Sequence, residues 1–148
     1  MDVQPDFKEL LELFNAHGVD YLIVGGYARA FYGAPRFTGD LDIFVKPDPA
    51  NAQKILTALA AFGFDSLSLT PGDFIEPAGV VQLGVPPVRN DLITSLTGVS
   101  WPEAWAGKIK GLFGDIPVDF LGRAQFVINK RALGRKRDLA DLEALGVE

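Results

Sequence analysis

Cysteine is missing altogether from the 148 residues. Its absence excludes a disulfide framework, a thiolate metal site and a cysteine nucleophile, and leaves the compartment open. Histidine occurs once, as His17 at the end of a predicted helix. Ser95 and Thr94 therefore have no histidine at a suggestive spacing, and nucleophilic hydrolysis has no support. Long apolar runs are missing as well. A stretch such as Leu56 to Phe62 falls far short of the roughly 20 residues that a membrane span requires. The start shows no basic segment followed by an apolar one, so no secretory signal is expected. No repeat, low-complexity tract or long Gly/Ser linker breaks the chain. These absences together predict a cytoplasmic protein with no membrane partner, folded as one domain over residues 1–148. With 48% apolar residues, the chain can bury a core without a metal or disulfide staple.

Positive charge is in deficit, and the net charge is −5. An acidic chain is poorly suited to general duplex binding, which relies on Lys and Arg to neutralise phosphates. The distribution is uneven, however. The stretch Asn129 to Arg137 holds five of the fourteen basic residues. It reads either as a solvated helix end, where cations suit the dipole, or as a local grip for phosphates.

The periodicities predict a mixture of helices and strands. Phe7 to Ala16 has Leu10, Leu11, Leu13 and Phe14 on one broad face, with Gly18 as the stop. Tyr21 to Val24 reads as a short buried strand, and Tyr27 to Tyr32 as a helix. Asp40 to Lys46 alternates, with Leu41, Ile43 and Val45 on one face and the two aspartates on the other. Asp48-Pro49 is a cap followed by proline at the first helical position, opening a helix to about Phe62. Val80 to Leu83 and Arg89 to Leu96 read as strands. Ser100 and Glu103 form a capping-box pattern. A hairpin is expected around Gly114-Asp115, from Lys108 to Leu112 and Ile116 to Phe120. Gln125 to Leu133 and Lys136 to Leu145 read as closing helices broken at Gly134. The expected class is α+β (mixed α/β), a central mixed sheet flanked by helices.

Two segments carry chemistry. In the first, a strand runs through Gly25-Gly26 into a helix, where free backbone N–H groups and the dipole favour an approaching phosphate. In the second, Thr38-Gly39-Asp40-Leu41-Asp42-Ile43, the two carboxylates sit two apart on a strand. Their backbones are roughly 6.6 Å apart on one face, a spacing that lets both donate oxygens to Mg²⁺ ions that also hold phosphates. Either segment alone has an ordinary reading, as turn chemistry or as an acidic strand face. Their order and spacing place a phosphate cradle beside metal carboxylates, where two ions about 4 Å apart can activate a hydroxyl and stabilise pyrophosphate.

This arrangement resembles the nucleotidyltransferase superfamily of DNA polymerase β, with its glycine pair followed by Asp-hydrophobic-Asp/Glu-hydrophobic. The likeness extends over Gly33-Ala34-Pro35-Arg36, Gly84-Val85-Pro86-Pro87, Asp91-Leu92-Ile93-Thr94-Ser95, and Asn129 through Asp141. Over nearly the whole chain it is similar to small prokaryotic nucleotidyltransferases of abortive-infection and toxin–antitoxin systems. The resemblance implies a minimal catalytic domain that moves a nucleoside monophosphate from an NTP to a hydroxyl, with Mg²⁺ or Mn²⁺ held by Asp40 and Asp42. It also implies a third carboxylate, a metal ligand or general base, for which Asp91 is chosen over Asp119. Strand register decides whether Asp91 or its neighbour Asn90 faces the site.

Around that core, Gly25 and Gly26 are expected to cradle the triphosphate, with Lys130 and Arg131 reaching it from a closing helix. Thr38 either orients Asp40 or belongs to the turn before the strand. Arg36 and Arg29 lie near the site in sequence, and Arg29 is compatible with a surface position. Asp138 and Asp141 are expected to pair with Arg135 and Arg137 or to cap the last helix. Trp101 and Trp105, four apart on one helical face, read as core or interface. The acceptor expected is a tRNA, a protein or a small molecule. Many active transferases of the superfamily have Gly-Ser where this chain has Gly26-Tyr27. That departure supports the alternative of a binding partner, toxin or antitoxin, that uses the same fold with little or no catalysis.

Overall fold

The structure, a computed structural model, describes residues 5–33, 40–64, 68–85 and 88–147. Its centre is a six-stranded mixed sheet in the order β3-β4-β2-β1-β6-β5. The strands are β1 (Tyr21–Val24), β2 (Asp40–Val45), β3 (Val80–Val85), β4 (Val88–Ile93), β5 (Ile109–Phe113) and β6 (Ile116–Phe120). Pairing is antiparallel for β1 with β2, β3 with β4 and β5 with β6, and parallel for β1 with β6 and β2 with β4. The helices are α1 (Pro5–Ala16), α2 (Gly25–Phe31), α3 (Pro49–Ala61), α4 (Trp101–Ala106), α5 (Arg123–Leu133) and α6 (Lys136–Ala144). The class is α+β, as expected.

The core follows from the periodicities. Phe7, Leu10, Leu11 and Phe14 recur at helical spacing and are all fully buried, so α1 presents one apolar stripe. That stripe packs against α3 and β6. β1 is buried at all four positions, as a central strand covered on both faces must be. In β2 the alternation holds: Leu41, Ile43 and Val45 are fully buried, while Asp40 and Asp42 keep partial access. The start of α3 is clasped to the sheet by Asn51. Its Oδ1 accepts from the Asp20 backbone N–H at 2.8 Å, and its Nδ2 donates to the carbonyls of Asp20 and Lys46, each at 3.0 Å.

Several boundaries differ from expectation for identifiable reasons. α2 begins at Gly25 instead of Tyr27, because Gly25 takes φ +67° and turns the chain directly from strand to helix. A side chain resists that conformation. β4 ends at Ile93 instead of Leu96. Beyond it, Thr94 and Ser95 turn their hydroxyls to the preceding turn: Thr94 Oγ1 donates to the Glu76 carbonyl at 2.6 Å and accepts from Gly79 N–H at 2.8 Å, and Ser95 Oγ accepts from Ala78 N–H at 3.1 Å. Such local side-chain bonds compete with ladder pairing. A 3₁₀ turn over Pro71–Phe74, not anticipated, buries Phe74. In the β5–β6 hairpin, Gly111 leaves room for Phe31 to stack on Phe120, with centroids 4.1 Å apart and planes 6° from parallel. Among the described residues, no helix is long and apolar enough to cross a membrane.

Candidate active site

The site forms where β1 ends and β2 begins. Val24 lies opposite Asp42 across the antiparallel pair, and on the other side of β2 the parallel register sets Asp42 beside Asp91 and Asp40 beside Arg89. A strand presents alternate residues to one face, so these four side chains share it. Asp40, Asp42, Arg89 and Asp91 all line a cleft of about 500 Å³. Gly25 and Gly26 form another part of its wall. The contact between the two sequence segments is direct: a Cβ built on Gly25 would overlap the Asp42 carboxylate. The glycine is thus required twice, once for its φ and once for the space its missing side chain leaves.

Electrostatics at this end of the cleft are strained toward protonation. Burial pushes Asp42 up to about 6, with Asp91 and Asp40 adding like-charge repulsion. Burial also raises Asp91, and Asp40 raises it further while Arg89 opposes the shift. Arg89 is the cation that holds the group together. Its Nη2 lies 2.7 Å from Asp40 Oδ2 and 3.3 Å from Asp91 Oδ2. Its Nε approaches Asp91 Oδ1 at 3.2 Å without hydrogen-bond geometry, and both of those buried atoms are left without a hydrogen-bond partner.

The cleft is also lined by cations, Arg29, Lys130, Arg135 and Arg137, together with Asn129. The cations are threaded by two buried aspartates. Arg29 Nη1 donates to Asp141 Oδ1 at 2.7 Å, and Lys130 Nζ lies 3.1 Å from Asp141 Oδ2 and 3.3 Å from Asp138 Oδ1. Arg135 Nε lies 2.6 Å from Asp138 Oδ2. Asp138 also accepts from the Arg135 backbone N–H, so it caps α6 from inside the network. Arg29 is only 4% exposed, which corrects the surface position its sequence context allowed. Its Nε and Nη2 have no hydrogen-bond partner.

The other residues singled out from sequence are distributed as follows. Asp91 lies in the cleft, whereas Asp119 pairs with Lys108 at 3.0 Å and lines a separate cavity of about 410 Å³ with Tyr21 and Trp105. Asn90, on the opposite face of β4, is buried. Lys130 lines the cleft, while Arg131 is exposed and does not. Asp138 pairs with Arg135 and caps α6, as expected, and Asp141 meets Arg29 and Lys130. Arg36 and Thr38 lie outside the described residues. Trp101 and Trp105 stack at 5.3 Å, and Trp101 sits edge-on to Phe44 in the core. Arg89 was not anticipated; its one signal was a cation two residues before the aspartate on a predicted strand, a spacing that shares a face.

Among the described residues, no group of three or more His, Cys, Asp or Glu side chains is gathered so as to hold a metal ion. The chemistry of the three carboxylates nonetheless suits a hard divalent cation. They face one cleft, two of them are driven toward protonation by burial and mutual repulsion, and Asp91 Oδ1 is a buried acceptor without a hydrogen bond.

The mixed sheet with a glycine turn against an Asp-x-Asp strand is the nucleotidyltransferase fold. A candidate nucleotidyltransferase from Thermotoga maritima superposes with a TM-score of 0.61 at 14% identity, covering 98% of this chain and 93% of that one. An antigenic nucleotidyltransferase-like protein from Paracoccidioides brasiliensis gives a TM-score of 0.51 at 19% identity, covering 94% of this chain and 72% of that one. At these identities the likeness is one of fold. No family model and no curated protein matches the chain.

Proposed function

We propose that the protein is a metal-dependent nucleotidyltransferase that moves a nucleoside monophosphate from an NTP to a hydroxyl of a tRNA, a protein or a small molecule. The observation that carries this reading is the contact of Gly25 with Asp42 in a cleft where Asp42 lies beside Asp91. It joins a turn suited to phosphate and a set of carboxylates suited to Mg²⁺ or Mn²⁺ in one cavity.

In this reading Asp40, Asp42 and Asp91 would hold the cation, which would supply positive charge to the phosphates and lower the pKa of the attacking hydroxyl. Gly25 and Gly26 offer backbone N–H groups to the triphosphate. Lys130, Arg29 and Arg135, which line the same cleft, supply further positive charge. The acceptor oxygen bonds to the α-phosphorus as the bond to the pyrophosphate oxygen breaks. Asp91, ionised, takes the proton of the acceptor hydroxyl.

A second reading has its own observation. Tyr27, standing where many active transferases have serine, is buried with its ring 5.0 Å from Phe113 and 6.1 Å from Phe7. That packing favours a weakly active or inactive partner in a toxin–antitoxin pair. One assay separates the two: labelled NTPs with Mg²⁺ or Mn²⁺, tRNA and cell protein, beside an Asp40→Ala/Asp42→Ala variant. Transfer is expected from the wild type and not from the variant. Transfer that survives in the variant removes the assigned site, and no transfer under any condition favours the partner reading.

A further inference from the structure

Arg89 holds a place in the carboxylate cluster that a cation would otherwise take. It enters from β4 opposite Asp40 and two residues before Asp91, so its side chain shares their face. Its guanidinium spans the outer carboxylate on β2 and the inner one on β4, at 2.7 Å from Asp40 and 3.2 Å from Asp91. The engagement is incomplete. Arg89 Nε and Asp91 Oδ1 are both buried without a hydrogen bond despite their proximity. Asp42, beside them in register, is not among the groups that Arg89 contacts as an ion pair. The carboxylates are therefore drawn toward a side chain, and no three of the described acidic groups converge on a common point.

From this geometry we infer that Arg89 is an internal competitor for the cation, which must leave Asp40 and Asp91 before a divalent ion can bridge them, and which then turns to a ligand phosphate. This rests on Asp40, Asp42 and Asp91 being the residues that hold the metal. A divalent ion and a guanidinium repel each other at such short range, so both cannot occupy the cluster. Arg89 is half-exposed at the cleft wall, with 28% of its side chain accessible, and has room to swing into the cavity it lines. A planar guanidinium freed from carboxylates matches phosphate oxygens in the same bidentate way. The cation affinity of the free protein is then reduced by the fraction of molecules in which Arg89 is disengaged, and phosphate ligands that capture Arg89 favour the metal reciprocally.

Calorimetric titration of MnCl₂ alone, without nucleotide, tests this. Wild type, Arg89→Gln, Arg89→Met and Lys108→Gln are compared, the last removing the same single charge at the Asp119 pair outside the cleft. Both Arg89 variants are expected to bind Mn²⁺ about tenfold tighter than wild type, and Lys108→Gln is expected to bind as wild type does. Equal or weaker binding by either Arg89 variant that unfolds cooperatively overturns the inference while leaving the metal site in place. An equal gain in Lys108→Gln also overturns it, by tracing the effect to net charge. The absence of Mn²⁺ binding in all four proteins at millimolar concentration removes the metal site, and this inference with it. In the wild type itself, Mg²⁺ is expected to shift the Arg89 side-chain Nε–H resonance toward that of a free arginine. A resonance unmoved at saturation overturns the inference even where the variants fail to fold.

Discussion

The α-carbon of Gly25 lies against the carboxylate of Asp42, with no room between them for a methyl group. Gly25 also has φ +67°, in the left-handed region. Gly25→Ala is expected to lose about 1–2 kcal/mol from the backbone conformation alone, and more from displacing Asp42. The second part depends on the carboxylate being there. Asp42→Ala removes the overlapping oxygen, so the double variant is expected to be less destabilised than the sum of the single changes. Urea unfolding of all four proteins measures the difference, and strict additivity counts against the contact.

Arg29 and Asp141 form a buried ion pair between α2 and α6, each less than a tenth exposed. Removing one partner of such a pair leaves an uncompensated charge, a loss of about 3–5 kcal/mol. Arg29→Met is expected near the lower end, because Lys130 stays 3.1 Å from Asp141 Oδ2. Asp141→Leu is expected to cost more, since it deprives both cations. A chemical denaturation series ranks the two, and the reverse order disproves the sharing of Asp141.

The raised pKa of Asp42 makes stability depend on pH with a definite sign. In the unfolded chain this carboxyl ionises at 3.8, and in the folded protein at about 6. Between these values the folded state holds a proton that the unfolded state has released. Stability from this group is therefore fullest below 3.8, falls as pH rises to about 6, and stays low above it. The rise from 3.8 to about 6 corresponds to about 3 kcal/mol. Asp42→Asn, which mimics the protonated form, is expected to be as stable as wild type near about pH 4 and more stable by up to about 3 kcal/mol near about pH 8. Equal stabilities at both pH values, in the absence of divalent cations, refute the shift.

What could be read from sequence was local. The strand from Tyr21 to Val24, the glycine turn and the alternation around Asp40 and Asp42 are set by neighbours a few residues apart, and each appears within a residue or two of its expected place. Asp48 as a cap and Gly134 at φ +64° are of the same kind. What could not be read depends on pairing between distant segments. Asp91 and Asp119 both occupy strand-like segments; the family resemblance favours Asp91, but the residues alone do not decide, and it is the register of β4 against β2 that brings Asp91 beside Asp42. Arg29 looks like a surface residue until Asp141, 112 positions later, supplies its counter-charge. Arg89 has no helical or turn signature, and its meaning comes wholly from the strand opposite.

The Arg29–Asp141 pair bears on how the protein is made. Arg29 belongs to the first quarter of the chain and Asp141 to the last helix, so during synthesis the arginine emerges long before its carboxylate. Contacts of such long sequence separation close late and slow folding. The cationic wall also needs Lys130, Arg135 and Asp138, all from α5 and α6 or the turn between them. A nascent chain that stops short of α6 therefore carries the glycine turn, the three cleft carboxylates, Arg29 and Lys130, but not the Asp138 and Asp141 that hold those cations. The buried counter-charges of Arg29, Lys130 and Arg135 thus all arrive together, with the docking of α6.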